Sequence, residues 1–311
     1  MWPPATGNWT ALPRSDGPPP APSTLTTFDP PWDDLRELVS RAVAEDLPAG
    51  DPTGAAVGPR PSAAALVARQ AGTVAGLVTA QLVLDEVSRR LGTGPARARL
   101  CTADGARAGP GDPLAVLTGP AATLLAAERT VLNLVTHLSG VASATAAMVA
   151  AVDGTGAVVR DTRKTLPGLR AAEKYAVRCG GGQNHRMSLS DAVLVKDNHV
   201  AALGGVVPAI EAARGVAGPL GLPVEVEVDN LDELDQALAA GANLVLVDNL
   251  SLSGTAEAVR RANRQGAQVE ASGGVTLGTV AAIAACGVHY IAVGALTHSA
   301  PALDISLDWE I

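Results

Sequence analysis

Aromatic residues are scarce in this chain: four Trp, two Tyr and one Phe make up 2% of 311 residues. Nucleic-acid surfaces combine spread basic charge with rings on which bases stack, so that role is disfavoured. Cysteine is nearly as rare. Cys101, Cys179 and Cys286 lie far apart with no CxxC pair, which argues against a disulfide framework or a zinc pattern and suits a reducing cytoplasm. Net positive charge is also missing. With 23 Lys and Arg against 31 Asp and Glu the chain carries −8, a field that repels DNA and anionic membrane alike. The first 27 residues hold many prolines (Pro3, Pro4, Pro13, Pro18, Pro19, Pro20, Pro22) but no basic start followed by an apolar run. Neither a signal peptide nor a membrane span is expected there; residues 1–27 read as a disordered tail, in which Trp2 and Trp9 leave a docking role open.

What the chain does have is enough apolar sequence, 47%, for a large core with a smaller attachment. A helix is expected from an acidic cap at Asp33 or Asp34, with Leu35, Leu38, Val39, Ala42 and Val43 at helical spacing. Short β-like runs such as 64–68 and 114–117, and one helix near Thr79 to Leu91, suggest a small α+β domain over 28–140. A long helix begins near Ala121, with Leu124, Leu125, Val131, Leu132, Val135 and Leu138 as its stripe. Arg129 lies off that stripe, roughly 140° from Leu124 at about 100° per residue.

Past residue 155 a strand-then-helix rhythm takes over, with strands at 157–160, 192–195, 224–228, 244–247, 268–271 and 290–293. Six such units predict an open, incomplete α/β barrel over 141–297, followed by a C-terminal segment, 298–311, that returns toward the first domain. Barrel chemistry sits at the C-terminal ends of strands. Every one of these strands ends in polar residues or glycine: Asp161-Thr-Arg-Lys164, Lys196-Asp-Asn-His199, Glu227 with Asp229-Asn230, Asp248-Asn249, Ser272-Gly-Gly274 and Gly294-Ala295.

Positive charge gathers here too. From Arg160 to Val200 eight basic residues face four acidic ones, a local +4 inside an acidic chain, which points to a small polyanion. Arg163 and Lys164 suit a ligand with both carboxylate and phosphate, one by a planar fork and one by a point charge; cations at a helix start would oppose its dipole. Gly180-Gly-Gly182 before Gln183-Asn184-His185-Arg186 offers either a close backbone approach or a plain loop. Lys196 fits an anion contact or a Schiff-base nucleophile. In Val224-Glu-Val-Glu-Val228 the alternation turns Glu225 and Glu227 into the barrel, where a ribose hydroxyl, a lysine or Mg²⁺ would satisfy them. Ser272-Gly-Gly-Val275 before a helix, with Gly294-Ala295, matches a barrel phosphate site. His137 and His289 read as structural, Cys179 as inert, and His298 as a weak candidate.

Together, Glu128-Arg-Thr-Val-Leu-Asn133, Asp161-Thr-Arg-Lys-Thr165, Pro167-Gly-Leu-Arg170, Glu173-Lys-Tyr-Ala176, Asn184-His-Arg186, Lys196-Asp-Asn-His199, Glu225-Val-Glu-Val-Asp-Asn230 and Glu270-Ala-Ser-Gly-Gly274 resemble the quinolinate phosphoribosyltransferase family from about residue 30 onward. The resemblance implies a small N-terminal α+β domain on an open α/β barrel, and conversion of quinolinate and phosphoribosyl pyrophosphate to nicotinate mononucleotide, pyrophosphate and CO₂ in NAD biosynthesis. It implies a homo-oligomer, dimer or larger, with a site shared across the dimer. Quinolinate would meet Arg129 and Arg170 of the partner subunit together with Arg163, His185, Arg186 and Lys196. Phosphoribosyl pyrophosphate with Mg²⁺ would meet Lys164, Glu227, Asp248, Ser272, Gly273, Gly294 and His298, with Thr162, Gly274, Val293 and Ala295 beside them. Lys164, Lys196, Glu227 and Asp248 would carry the chemistry, the two carboxylates facing the metal through substrate or water. Leu166 departs from the family's usual threonine, and Val141-Ala-Ser143 from Ile-Ala-Thr. Three rivals remain: a relative in the same fold acting on another acid or in molybdenum metabolism, a Schiff-base lyase built on Lys196, and a non-catalytic sensor of phosphoribosyl metabolites.

Overall fold

A computed structural model describes residues 28–309. The expected tail, 1–27, lies outside the described residues. The first helix, α1 (Trp32–Asp46), is capped at least two residues earlier than its acidic pair suggests. Pro31 stands at the cap position and makes no side-chain bond, while Asp33 and Asp34 occupy the first turn, where they complement the helix dipole. The short α2 (Pro52–Val57) is capped by Asp51, whose carboxylate accepts from the Thr53 amide.

Four antiparallel strands form the first sheet: β1 (Pro61–Ala68), β3 (Arg97–Leu100), β5 (Pro113–Pro120) and the C-terminal β12 (Ile305–Trp309), in the order β12-β1-β5-β3. A two-stranded ribbon, β2 (Gly72–Thr73) with β4 (Arg107–Ala108), and helix α3 (Val78–Leu91) complete this layer. The last strand thus closes an edge of the first sheet, in register Leu66↔Leu307.

Helix α4 (Ala121–Ala151) runs through both halves of the molecule. Its first part, with Leu124, Val131 and Val135, packs into one hydrophobic cluster, and its second, with Leu138, Val141, Ala142 and Met148, into another. It is the one described helix long and apolar enough to cross a bilayer, yet its apolar positions are taken up by these two cores. Leu125 is the exception to the expected stripe, being 36% exposed: the 100° step carries it to the flank.

The second half is a six-stranded parallel sheet: β6 (Val158–Arg160), β7 (Val193–Val195), β8 (Val224–Val228), β9 (Leu244–Asp248), β10 (Gln268–Ser272) and β11 (Tyr290–Ala292). Their order is β6-β11-β10-β9-β8-β7, so the sheet curls through its strands and stays open between β6 and β7, as expected for an incomplete barrel. Between the strands lie α5 (Arg170–Cys179), α6 (Asp197–Leu203), α7 (Val206–Leu220), α8 (Leu231–Ala239), α9 (Leu252–Arg264), α10 (Val280–Ala284) and α11 (Ala295–His298).

Packing accounts for the Gly180-Gly-Gly182 run, which the sequence left open: a Cβ on Gly180 would collide with the Ala142 carbonyl and Thr145 of α4, and one on Gly182 would stand 2.8 Å from the Thr145 methyl. These glycines let the chain pass close to α4. The helix expected after Ser272-Gly-Gly-Val275 is α10, which starts only at Val280.

Candidate active site

All six parallel strands contribute to one cavity at their C-terminal ends, of about 290 Å³. Thr162, Arg163 and Lys164 follow β6; Lys196, Glu227, Asp248 and Ser272 stand at the ends of β7 to β10; His185 and Arg186 come from the loop after α5. Two other clefts are larger, 420 Å³ beside Arg36 and Glu86 and 470 Å³ around Val149 and Gln183, but neither gathers cations in this way. Composition, not size, singles out the site.

The residues that sequence reasoning missed are Leu194, Leu246, Glu270 and Ala292. Each precedes an expected strand-end residue by two: Lys196, Asp248, Ser272 and Gly294. Side chains two apart on a strand share a face, so the same alternation that turned Glu225 and Glu227 inward predicts a second layer below the first.

Around Glu270 that lower layer is charged. The His185 Nε2 is 2.8 Å from a Glu225 carboxylate oxygen and 3.6 Å from one of Glu270. Arg160 donates to the other Glu270 oxygen at 2.8 Å and stacks on the Tyr290 ring. His185 Nδ1 accepts the Arg186 amide N–H at 2.7 Å, so Nε2 carries the proton given to Glu225 in this arrangement. Burial opposes a charge on His185, but the Glu225 bond and the charges of Glu270 and Glu225 outweigh it and raise its pKa. Protonating the ring fully requires it to release the Arg186 amide. The ligand atoms of His185, Glu225 and Glu270 lie close enough together to hold a cation; Arg160 already supplies positive charge there.

In the upper layer Lys196 Nζ is 2.5 Å from Glu227. Asp248 accepts from Asn249 Nδ2 at 2.7 Å. Asn249 adopts a positive φ of 54°, and Gly273 passes so near that a Cβ there would stand 2.7 Å from the Asn249 nitrogen. Lys164 is exposed; its amide bonds the Thr162 hydroxyl at 3.0 Å and its carbonyl the Thr297 hydroxyl at 2.8 Å. Arg163 and Lys164 lie in a loop, since α5 begins only at Arg170. The Arg163 Nε is buried with no partner among the described residues. Burial, and then the Arg163 charge, lower the pKa of Arg186, whose NH1 donates to the Ala192 carbonyl at 3.0 Å. Two guanidinium groups are held near each other, and the charges of Glu225 and Asp191 offset this only in part.

Several expected residues fall outside the cavity wall. Gly294 borders it, because a Cβ there would be 3.0 Å from the Lys164 side chain, 3.4 Å from the Thr162 hydroxyl and 3.3 Å from His298 Nε2. Gly274 belongs to the loop after β10, and Ala295 opens α11. Val293 is buried in the core and its amide bonds the Arg160 carbonyl, leaving no side-chain contact to offer. Arg170 bonds Thr165 and the Met187 carbonyl of its own chain. Arg129 is exposed on α4 and makes no side-chain hydrogen bond or ion pair among the described residues. Leu166 is exposed on the loop, its amide held by Glu173. His137 also bonds Glu173, and His289 accepts the Val269 amide; neither lines the cavity. Burial pushes the Cys179 thiol up to about 12, which leaves it inert.

The quinolinate phosphoribosyl transferase N-terminal domain model matches residues 51–139 and the C-terminal domain model residues 141–308. The chain belongs to this family. It is 50% identical over 282 residues to the nicotinate-nucleotide pyrophosphorylase [carboxylating] of Mycobacterium leprae, covering 89% of this chain and 98% of that protein. It is 42% identical to the protein of the same name from Homo sapiens, over 88% of this chain and 91% of that one. The solved nicotinate-nucleotide pyrophosphorylase from Francisella tularensis superposes with a TM-score of 0.83 at 37% identity, covering 91% of this chain and all of that one, 100%. The two family models meet at residue 140, inside α4; the halves of a quinolinate phosphoribosyl transferase are joined here by one continuous helix.

Proposed function

We infer that the protein is a quinolinate phosphoribosyltransferase of NAD biosynthesis: it joins the quinolinate nitrogen to C1 of phosphoribosyl pyrophosphate, expels pyrophosphate and releases the 2-carboxylate as CO₂, leaving nicotinate mononucleotide. The observation that carries this reading is the unbalanced cation pair, Arg163 with its unpartnered buried Nε beside an Arg186 that it destabilises. A planar dicarboxylate placed between them relieves the repulsion and satisfies the orphan donor.

Arg163, Arg186 and Lys196 then hold the carboxylates and orient the ring nitrogen, a gain of positioning. His185 braces Arg186 from below through its backbone amide. Lys164, Ser272 and the glycine turns at Gly273 and Gly294 cradle the phosphates of the second substrate. Glu227 and Asp248 face the ribose, where their charge favours an oxocarbenium-like centre at C1. The same two carboxylates fit Mg²⁺: they are half-buried oxygen donors on neighbouring strands that open on the cavity, and this ion needs only one or two carboxylates beside water and substrate phosphates. When bound, the ion neutralises the departing pyrophosphate.

Arg129, unpaired and far round α4 from its apolar stripe, suits the site of a second subunit, and a homo-oligomer with a shared site follows from that assignment. Incubating the purified protein with quinolinate, phosphoribosyl pyrophosphate and Mg²⁺ tests the function. Nicotinate mononucleotide must form from quinolinate and not from nicotinate; product from neither would overturn the reading.

A further inference from the structure

Of the eight basic residues between 160 and 200, four line the cavity: Arg163, Lys164, Arg186 and Lys196. Three others, Arg170, Lys174 and Arg178, recur every fourth residue along α5, a spacing that stacks side chains on one face of a helix. None of the three lines the cavity. Arg170 donates Nε to the Thr165 hydroxyl at 3.0 Å and NH1 to the Met187 carbonyl at 3.3 Å. Lys174 donates to the Asp161 carboxylate and, at 3.0 Å, to the His185 carbonyl. Arg178 donates to Asn184 Oδ1 at 2.8 Å, and Asn184 Nδ2 in turn reaches Asp161 at 2.5 Å.

Each rung therefore ties the segment 161–165 to the segment 183–187, directly or through Asn184. These segments carry Arg163 and Lys164 on one side and His185 and Arg186 on the other. Asp161 is the hub: besides Lys174 and Asn184 it accepts the His185 amide at 2.8 Å, and its side chain and that of Lys174 are both fully buried. Arg163 and Arg186 repel each other, so two free loops would drift apart. A buried ion pair adds little net stability compared with apolar residues of the same volume, but it fixes geometry.

We propose that Arg170, Lys174 and Arg178, with Asp161 as their hub, are positioning residues that set the spacing of Arg163 and Arg186 and thereby the affinity for the substrate dicarboxylate, an inference that rests on the function proposed above. The ladder touches no substrate; it acts through the two loops.

The decisive variant is Asp161→Asn combined with Lys174→Met, which removes both charges so that neither is left buried and alone. Thermal melting, amide hydrogen exchange of segments 161–165 and 183–187, and steady-state kinetics with quinolinate are measured side by side. The expected result is a melting temperature close to wild type, exchange in both segments faster by on the order of tenfold, and a quinolinate KM raised on the order of tenfold or more, since small misplacements of positioning groups are costly. Arg178→Met, at the half-buried end of the ladder, repeats the test in a variant that leaves the Asp161 pair intact and should show the same changes at smaller size. Wild-type exchange and wild-type KM in both variants would overturn the proposal. Faster exchange in a protein whose wild type does not turn over quinolinate would instead uphold the ladder and overturn the functional reading.

Discussion

Lys196 and Glu227 meet at 2.5 Å across the ends of two neighbouring strands, so in the free protein the cation we assign to a ligand carboxylate is held by a carboxylate of the wall. On that assignment, binding exchanges one partner for another. Glu227→Gln frees Lys196 and removes charge from the side facing the ribose. Calorimetry should find quinolinate bound at least as tightly as by wild type, while kcat falls by ~100-fold, the scale seen when one electrostatic contact to a developing charge is lost. Weaker binding with unchanged kcat would contradict this assignment.

If Arg129 completes the neighbouring subunit's site, Arg129→Ala and Lys196→Ala should each be inactive alone, yet regain activity when mixed. Random exchange between equal amounts of two dimers restores one site in half of the dimers, about a quarter of wild-type activity. No recovery despite exchange demonstrated by mass spectrometry would rule out the shared site.

Stability should fall as pH rises from 5 to 8. Burial and the Glu225 charge push Glu270 up to about 7, against the pull of His185 and Arg160. Burial likewise pushes Asp104 up to about 6, although it accepts bonds from Tyr175 and the Leu77 amide. Both groups have folded values above their unfolded ones, so their contribution is complete below about pH 4 and is lost as pH passes about 6 and then 7. The raised His185 pKa acts in the same direction. Denaturant midpoints should decline across this window, and less steeply in Glu270→Gln; a flat wild-type profile would contradict the charged lower layer.

Gly140 marks where α4 passes the C-terminal segment, and a Cβ there would run into the Pro301 carbonyl and stand 3.1 Å from the Ala302 Cα. Both obstacles are backbone and cannot rotate away. Gly140→Ala should therefore lose on the order of 1–3 kcal/mol, read from urea unfolding. Leu166→Thr, on an exposed loop, should change stability by less than about 0.5 kcal/mol.

Much of the site was legible because strand alternation is a local code. The six parallel strands stand where the apolar runs put them, within a residue at either end, and Thr162, Arg163, Lys164, Lys196, Glu227, Asp248 and Ser272 reach the cavity because each closes such a run. The lower layer of Glu270, Leu194, Leu246 and Ala292 follows from the same rule carried one step further down each strand. Leu125 was misplaced and the Gly180-Gly-Gly182 run was left open, since the exact face of a long helix and the reason for a glycine depend on what lies opposite.

The sequence by itself determined the element types, the polar strand ends and the local excess of positive charge, since periodicity and composition are properties of neighbours along the chain. Tertiary structure alone decided which of those charges face the cavity and which hold the loops. Arg163 and Arg178 are the same residue type fifteen positions apart, and nothing local separates them. One is left with an unpartnered donor beside the cavity and the other is bonded to Asn184 and the Asp29 carbonyl, because the role of a charge is set by the partners that folding brings to it from distant parts of the chain.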